Sequence, residues 1–220
     1  MHNFSPNMLK TYETCSQKYW LRYEENITVP QRASNFEKGK KIHAIANYYL
    51  RGDNISKLEK ALNSEEQKLW EQLKNNKYFQ KKYIESEYNL YCKIGNYWVG
   101  GRLDALVKDD DGYYILDYKT GSTPKNPEYD FQTMVYLLCL YKSIRHCEQS
   151  QESQNNLSIS FVYIDLKNNQ NHIIELTPEK IKEYELAITK ICDEITSFIP
   201  QENIEYSKKC DFCEYKKICF

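Results

Sequence analysis

GGRLDALVKDDDGYYILDYK, residues 100–119, reads as two β-strands joined by a tight turn. Leu103–Val107 and Tyr113–Lys119 are the strands. The Asp-Asp-Asp-Gly between them is a turn signal, because Asp and Gly tolerate the positive φ that a hairpin needs. Side chains alternate faces along a strand, so Asp117 and Lys119 point the same way, and Asp104 on the neighbouring strand reaches that face. Carboxylate oxygens suit a hard cation such as Mg²⁺. A lysine beside such an ion can orient a water and offset charge that builds in a transition state. A lone D-x-K is more often a strand ending in a surface lysine, so the reading needs company. A helix expected from Glu128 to Ser143 supplies it, with Gln132 and Tyr136 at i and i+4 on one face.

GGRLDALV, ILDYKTGS and QTMVYLLCLY together resemble the G-x-x-D, D-Y-K-T-G and Q-x-x-x-Y motifs of the PD-(D/E)XK nuclease superfamily in its RecB-like branch. FEKGKKIHAIANYYL, residues 36–50, is similar to the family's G-x-x-x-H element through Gly39 and His43. The resemblance implies an α/β fold, a mixed central sheet flanked by helices with a restriction-endonuclease-like core. It also implies metal-dependent hydrolysis of DNA phosphodiesters. His43, Asp104 and Asp117 would hold Mg²⁺ or Mn²⁺, Lys119 would position the attacking water, and Gln132 and Tyr136 would orient DNA or the groups around the metal. An imidazole with carboxylates is compatible with either ion. Preference for single-stranded DNA and exonuclease action rest on the resemblance alone. The rival reading is a non-catalytic DNA-binding or scaffolding module, against which the intact Asp104, Asp117 and Lys119 count.

The chain has 220 residues, which suits one domain with elaborations. Its 41% hydrophobic and 28% charged residues are ordinary for a soluble globular protein. A formal net charge of −1 does not advertise a nucleic-acid binder, although a metal site's carboxylates can offset a locally basic surface. MHNFSPNMLK lacks the apolar core of a signal peptide, and no apolar run reaches the about 20 residues that cross a bilayer. A cytoplasmic location without membrane contact follows as the expectation. No G-x-x-x-x-G-K-[ST] loop occurs, so processive unwinding would need a helicase partner. A partner in CRISPR adaptation is the other expectation from the resemblance.

Along the chain, residues 4–23 read as one helix, with Ser5 as N-cap and Pro6 at the first helical position. Ser34 and Glu37 form a capping-box pattern before a helix ending near Leu50. Residues 51–84 read as a peripheral helical insertion, a candidate lid, with Leu58, Leu62, Leu69, Trp70 and Leu73 as candidate buried positions. A strand follows from Ile84 to Tyr91. Glu87 on it is within reach of the metal and equally suits the surface. Residues 145–157 are a polar loop, and LSISFVYIDL and HIIEL are two more strands. Thr177-Pro178 opens a long helix whose apolar stripe runs from Ile181 to Phe198.

Eight cysteines in a reducing compartment argue for metal or cluster ligation where they gather, not for disulfides. Cys210, Cys213 and Cys219 gather in the segment 205–220, with C-x2-C-x5-C spacing, and four soft thiolates suit zinc or an iron–sulfur cluster. One cysteine near the start and three at the end is similar to the Cas4-like and AddB-like nucleases. This makes Cys15 the fourth ligand of a [4Fe–4S] cluster, zinc being the alternative. F-S-P-x-x-L-x-x-Y-x-x-C at residues 4–15 carries the same resemblance, with Ser16 where those proteins commonly have Pro. Such a group would staple the two ends of a single domain spanning 1–220.

Overall fold

The hairpin lies at the middle of a six-stranded mixed sheet in the computed structural model, which describes residues 3–29, 36–148, 158–200 and 205–220. The strands are β1 (Asn3–Phe4), β2 (Lys82–Ile94), β3 (Tyr97–Lys108), β4 (Gly112–Lys119), β5 (Ser158–Asp165) and β6 (Gln170–Glu175). The helices are α1 (Pro6–Thr14), α2 (Ser16–Tyr19), α3 (Phe36–Leu50), α4 (Ser56–Lys60), α5 (Ser64–Lys74), α6 (Phe131–Glu148), α7 (Pro178–Thr196) and α8 (Lys216–Cys219). β3 pairs with β2 along one edge. Along its other edge it meets β1, parallel, at Trp98 and Val99, and β4, antiparallel, from Ala105 to Lys108. β4 runs parallel to β5, and β6 closes that side antiparallel. The expected α/β architecture, a mixed sheet flanked by helices, is the one observed.

The turn between β3 and β4 works differently from the expectation. None of Asp109, Asp110, Asp111 or Gly112 adopts a positive φ. Instead the Asp109 carboxylate accepts the backbone N–H groups of Asp111 (3.0 Å) and Gly112 (3.2 Å), an Asx-type turn. Gly112 is required by proximity, since a Cβ there would lie 2.1 Å from the Ser158 carbonyl oxygen at the start of β5.

Each face of the sheet has its own core. On one, Leu103, Leu106, Ile115, Phe161 and Tyr163 pack under α1, α6 and α7, through Leu9, Leu137, Leu138, Tyr184 and Ile188. On the other, Ala105, Val107, Leu116, Tyr118, Val162 and Ile164 pack under α3 and α5, through Ile42, Ile45, Trp70 and Leu73. The segment expected to be a peripheral insertion therefore furnishes much of the second core: Leu62, Leu69, Trp70 and Leu73 are buried, and only Leu58 of the expected positions is exposed. Burying a side chain of this size contributes about 1.5–3 kcal/mol, so α5 is a structural wall and not a lid.

The expected helix over residues 4–23 is broken. Phe4 belongs to β1, Ser5 caps α1 through the Met8 N–H (3.3 Å), and the chain turns extended at Cys15 (φ −164°) before α2. A π-helical turn, Trp20–Glu24, follows. Thr177 caps α7 as expected, and Tyr184, Ile188, Ile191 and Ile195 form its buried stripe. Ser34 and most of the polar stretch 145–157 lie outside the described residues. Among the described residues no helix is long and apolar enough to cross a membrane.

Candidate active site

The β3–β4 ladder ends at the pair Ala105 and Leu116. The next positions in that register are Asp104 and Asp117, and there the two strands part. The Asp104 carboxylate takes over the ladder's work: its Oδ2 accepts the Tyr118 backbone N–H at 3.0 Å. On its other side Asp104 falls opposite Glu87 in the β2–β3 register, between the pairs Ser86–Ala105 and Tyr88–Leu103. That pair is also missing from the ladder, because Glu87 adopts a positive φ of 51°. A left-handed glutamate stores strain of about 1 kcal/mol or more, and such strain gathers at functional sites. Its effect here is to aim the Glu87 carboxylate at Asp104, while Arg102 Nε holds it at 2.8 Å.

His43 reaches the same point from α3. Its Nε2 lies 2.9 Å from the Tyr118 carbonyl oxygen, which can only accept, so Nε2 carries the hydrogen. Nδ1 lies 3.1 Å from Asp104 Oδ1 and is the nitrogen left to hold a proton or a cation. Burial pulls the imidazole's pKa down, but the hydrogen bond and charge of Asp104, with Asp117 and the Tyr118 carbonyl, outweigh it and lift it to about 9. Gly39, one turn earlier, lets α3 approach the end of β4, since a Cβ there would stand 3.3 Å from Thr120 Oγ1. His43, Glu87 and Asp104 each present one ligand atom, all within 4.8 Å of one another. They open on a cleft of about 770 Å³, also lined by Lys40, Asn47, Tyr48 and Arg102.

Asp117 adjoins this group but turns towards α6. It is 3% exposed. Lys119 Nζ stands 2.8 Å from its Oδ2 and 3.1 Å from its Oδ1. The Gln132 side-chain amide donates to Oδ1, and its carbonyl faces Lys119 Nζ at 3.3 Å. Oδ2 is buried and accepts no well-aligned hydrogen bond, which leaves a lone pair for another electrophile. Burial, and then the charge of Asp104, push the Asp117 carboxyl up to about 6 against the pull of Lys119. The Lys119 ammonium is lowered by burial but raised further by Asp117, and remains a firm cation.

Gln132 is held by a cap that the sequence reading overlooked. The Asp130 carboxylate accepts the Gln132 backbone N–H at 3.0 Å, and Lys10 pairs with Asp130 at 2.5 Å. Asp directly before an apolar helical run is an N-cap signal, so residue 130, not 128, could have been read as the helix start. Tyr136 has a different place. Its hydroxyl donates to the Arg102 carbonyl at 3.0 Å, in the stretch of β3 that pairs with neither β1 nor β4. It packs on Gly101, where a Cβ would come within 2.9 Å of that hydroxyl. Gln132 thus touches the carboxylate–lysine pair, whereas Tyr136 fastens the strand that carries Asp104.

Where the chain's two ends meet, Cys15, Cys210 and Cys213 lie near enough to Cys219 to act on its thiol electrostatically, although among the described residues no three of these sulfurs stand within 4.8 Å of one another. Burial raises the Cys219 thiol, and the neighbouring thiols of Cys213, Cys15 and Cys210 raise it further. Cys15 Sγ accepts the Lys18 N–H at 3.4 Å, and Cys210 Sγ accepts the Ser207 N–H at 3.5 Å. The Ser207 hydrogen bonds lower the Cys210 thiol. Backbone donors aimed at sulfur are what thiolate ligands need. Lys18–Glu214 (3.0 Å) and the Tyr215 hydroxyl on the Ile27 carbonyl (2.7 Å) seal the same junction. Cys92, Cys139 and Cys192 lie buried elsewhere.

Against known proteins, a family model describing the PD-(D/E)XK nuclease superfamily matches residues 3–220. The chain is 24% identical over 153 residues to the CRISPR-associated exonuclease Cas4 of Francisella tularensis subsp. novicida (strain U112), covering 68% of this chain and 71% of that protein. Its fold is similar to the crystal structure of a protein from Eubacterium rectale assigned as an exonuclease, with a TM-score of 0.55 at 12% identity, over 94% of this chain and 86% of the other.

Proposed function

Because the chain belongs to the PD-(D/E)XK nuclease superfamily, we propose that it is a divalent-metal-dependent nuclease that shortens single-stranded DNA from an end. The observation that carries this is the meeting of His43, Glu87 and Asp104 with the Asp117–Lys119–Gln132 group where β3 and β4 part. One imidazole with two or three carboxylates is a donor set for Mg²⁺ or Mn²⁺. The buried Asp117 Oδ2, which accepts no well-aligned hydrogen bond, and the clustered acids fit such an ion. His43, Glu87 and Asp104 would hold it, with Asp117 at its edge. When bound, the ion supplies Lewis acidity to the scissile phosphate.

The chain's own groups do the rest. Lys119 Nζ, fixed between both Asp117 oxygens and Gln132, donates towards the attacking water and stands beside charge developing at phosphorus. Gln132 keeps the Asp117 carboxylate from rotating. Tyr118 contributes its backbone N–H to Asp104 and its carbonyl to His43, so one peptide segment sets both side chains. To serve as a ligand His43 would have to release the Nδ1 proton that now faces Asp104. The exonuclease reading follows the activity for which the Cas4 relative is named.

End-labelled single strands with Mg²⁺ or Mn²⁺ test the reading, with a covalently closed single-stranded circle beside them. Shortening of the linear strand, an intact circle and loss of both cleavage and metal dependence in Asp117→Ala are expected. A protein that retards DNA without shortening it is a binding module, and a cut circle replaces exonuclease with endonuclease.

The cysteine group is proposed to hold a [4Fe–4S] cluster that staples the two ends of the chain. Visible absorption with iron and sulfide analysis decides it, since a zinc site is colourless. A role in DNA repair, recombination or CRISPR adaptation, with a helicase or an adaptation protein as partner, belongs to the same proposal. Co-purification from the native host tests it.

A further inference from the structure

We infer that the outer face of the β2–β3 hairpin is a stacking track for single-stranded DNA that leads into the cleft. The inference rests on the nuclease reading for its substrate and on separate residues for its argument.

At Glu87 and Asp104 the hairpin changes which side chains it buries. Beyond that point Leu90, Cys92, Ile94, Val99 and Leu103 face the α6–α7 core. By alternation Asn89, Tyr91, Lys93, Trp98 and Arg102 face the other way, and all five are exposed. Register places Asn89 opposite Arg102, Tyr91 opposite Gly100, and Lys93 opposite Trp98. The face is thus a ladder of two rings, two cations and an amide. Among the described residues, no hydrogen bond or ring contact engages the Tyr91 or Trp98 ring. α3 and α5 cover the same side of the sheet further on, over Ala105 and Val107, and among the described residues the side chains of this half stay exposed.

Two features mark the face as prepared for a ligand. A Cβ at residue 100 would meet the Leu90 carbonyl oxygen at 2.2 Å and the Tyr91 ring edge, Cδ1, at 2.6 Å, so the glycine serves the close approach of the two strands as well as the ring. Gly100 therefore lets the ring settle low against β3 while half of the residue's surface, 51%, stays open to solvent. A ring settled in this way loses little freedom when a base stacks on it. The second feature is continuity. Arg102, whose side chain is 66% exposed, stands at the inner end of the ladder and also lines the cleft with Glu87 and Tyr48. A strand lying on Trp98 and Tyr91 meets Arg102 and then the carboxylate group.

The interleaving identifies the occupant. Aromatic faces alternating with Lys and Arg match unpaired bases alternating with phosphates. Bases within a duplex have no free faces to offer these rings. A protein partner of ordinary size would call for a contiguous apolar patch, and the cations at Lys93 and Arg102 interrupt one here.

Binding of a phosphorothioate oligothymidylate of about 20 nucleotides, followed by anisotropy with Mg²⁺ present, tests the track in the unaltered protein and its variants. Binding should quench Trp emission, and Trp98→Phe should lose that quenching while Trp20 and Trp70 still emit. Trp98→Ala and Tyr91→Ala should each weaken binding about tenfold, with Phe at either position restoring most of it. Lys93→Gln should lower the salt slope by about 0.7 and leaves the fold untouched should Tyr91→Ala misfold. Unchanged affinity and quenching in Trp98→Ala and Lys93→Gln overturn the track, as does an equal loss for a duplex of the same length. Hydrolysis of a p-nitrophenyl ester of thymidine 5′-phosphate by the unaltered protein reads the cleft separately. Stacking-dependent binding without that hydrolysis supports the track and counts against the nuclease reading alone.

Discussion

Asp104 and Asp117 fall opposite one another in the β3–β4 register yet hold different partners, His43 on the α3 side and Lys119 on the α6 side. The two carboxylates repel across the parted strands, each balanced by one cation. Removing either carboxylate therefore has unlike consequences.

Asp117→Asn keeps the shape and loses the charge that pairs with Lys119. Cleavage is expected to vanish, and Mg²⁺ or Mn²⁺ is expected to protect the variant against heating less than it protects the parent. Lys119→Met should lower cleavage by about 10²–10³-fold with the metal's thermal protection retained. Thermal denaturation with and without metal, beside the strand-shortening assay, separates the two effects.

His43 holds its proton up to about pH 9 without metal. A cation taking Nδ1 must displace that proton, so apparent affinity should climb with pH. Between about pH 6 and 8 the rise approaches tenfold per unit for one proton released. Calorimetry in buffers of different ionisation enthalpy counts the proton, and His43→Gln should abolish it.

Glu87 illustrates a trade between stability and function. Glu87→Gly removes a side chain from a backbone with φ of 51° and takes one negative charge from beside Asp104. The metal-free variant should be more stable by up to about 1 kcal/mol, while its metal affinity falls. Denaturant unfolding and metal titration of the same preparation check both halves.

Tyr136 and Gln132 should part company in the same assays. Tyr136→Phe strands the Arg102 carbonyl and is expected to cost about 1–3 kcal/mol of stability. Gln132→Ala should leave melting nearly unchanged and lower turnover at saturating substrate, because it frees the Asp117 carboxylate.

Cys15→Ser removes the only thiol that the amino-terminal segment gives to the cysteine group. It should bleach the visible absorption near the blue end and lower the melting temperature by about 5 °C or more. Cys192→Ser, altering a buried thiol on α7, should leave the colour intact.

Local chemistry made part of this molecule readable from sequence. Alternation placed Asp117 with Lys119, helical spacing set Gln132 near Tyr136, and a Ser-Pro pair opened α1. What stayed hidden depends on partners distant in the chain. The break at Cys15 interrupts a stretch whose apolar spacing fits an unbroken helix. Glu87 joins the ligand group through a left-handed backbone that no neighbour announces. Leu69, Trp70 and Leu73 advertised an apolar stripe, but not that the sheet lay beneath it. Tyr136 shares a motif with Gln132, and only the gap in the β3 ladder explains why its hydroxyl serves a backbone carbonyl.

The approach of Cys15 to Cys210, Cys213 and Cys219 also sets a timetable for biosynthesis. At about 5–20 residues per second, the first thiol leaves the ribosome roughly ten to forty seconds before the last. Throughout that wait Cys15 stands open to oxidants and to stray soft metals. Delivery of the proposed cluster would therefore have to wait until Cys219 has been made.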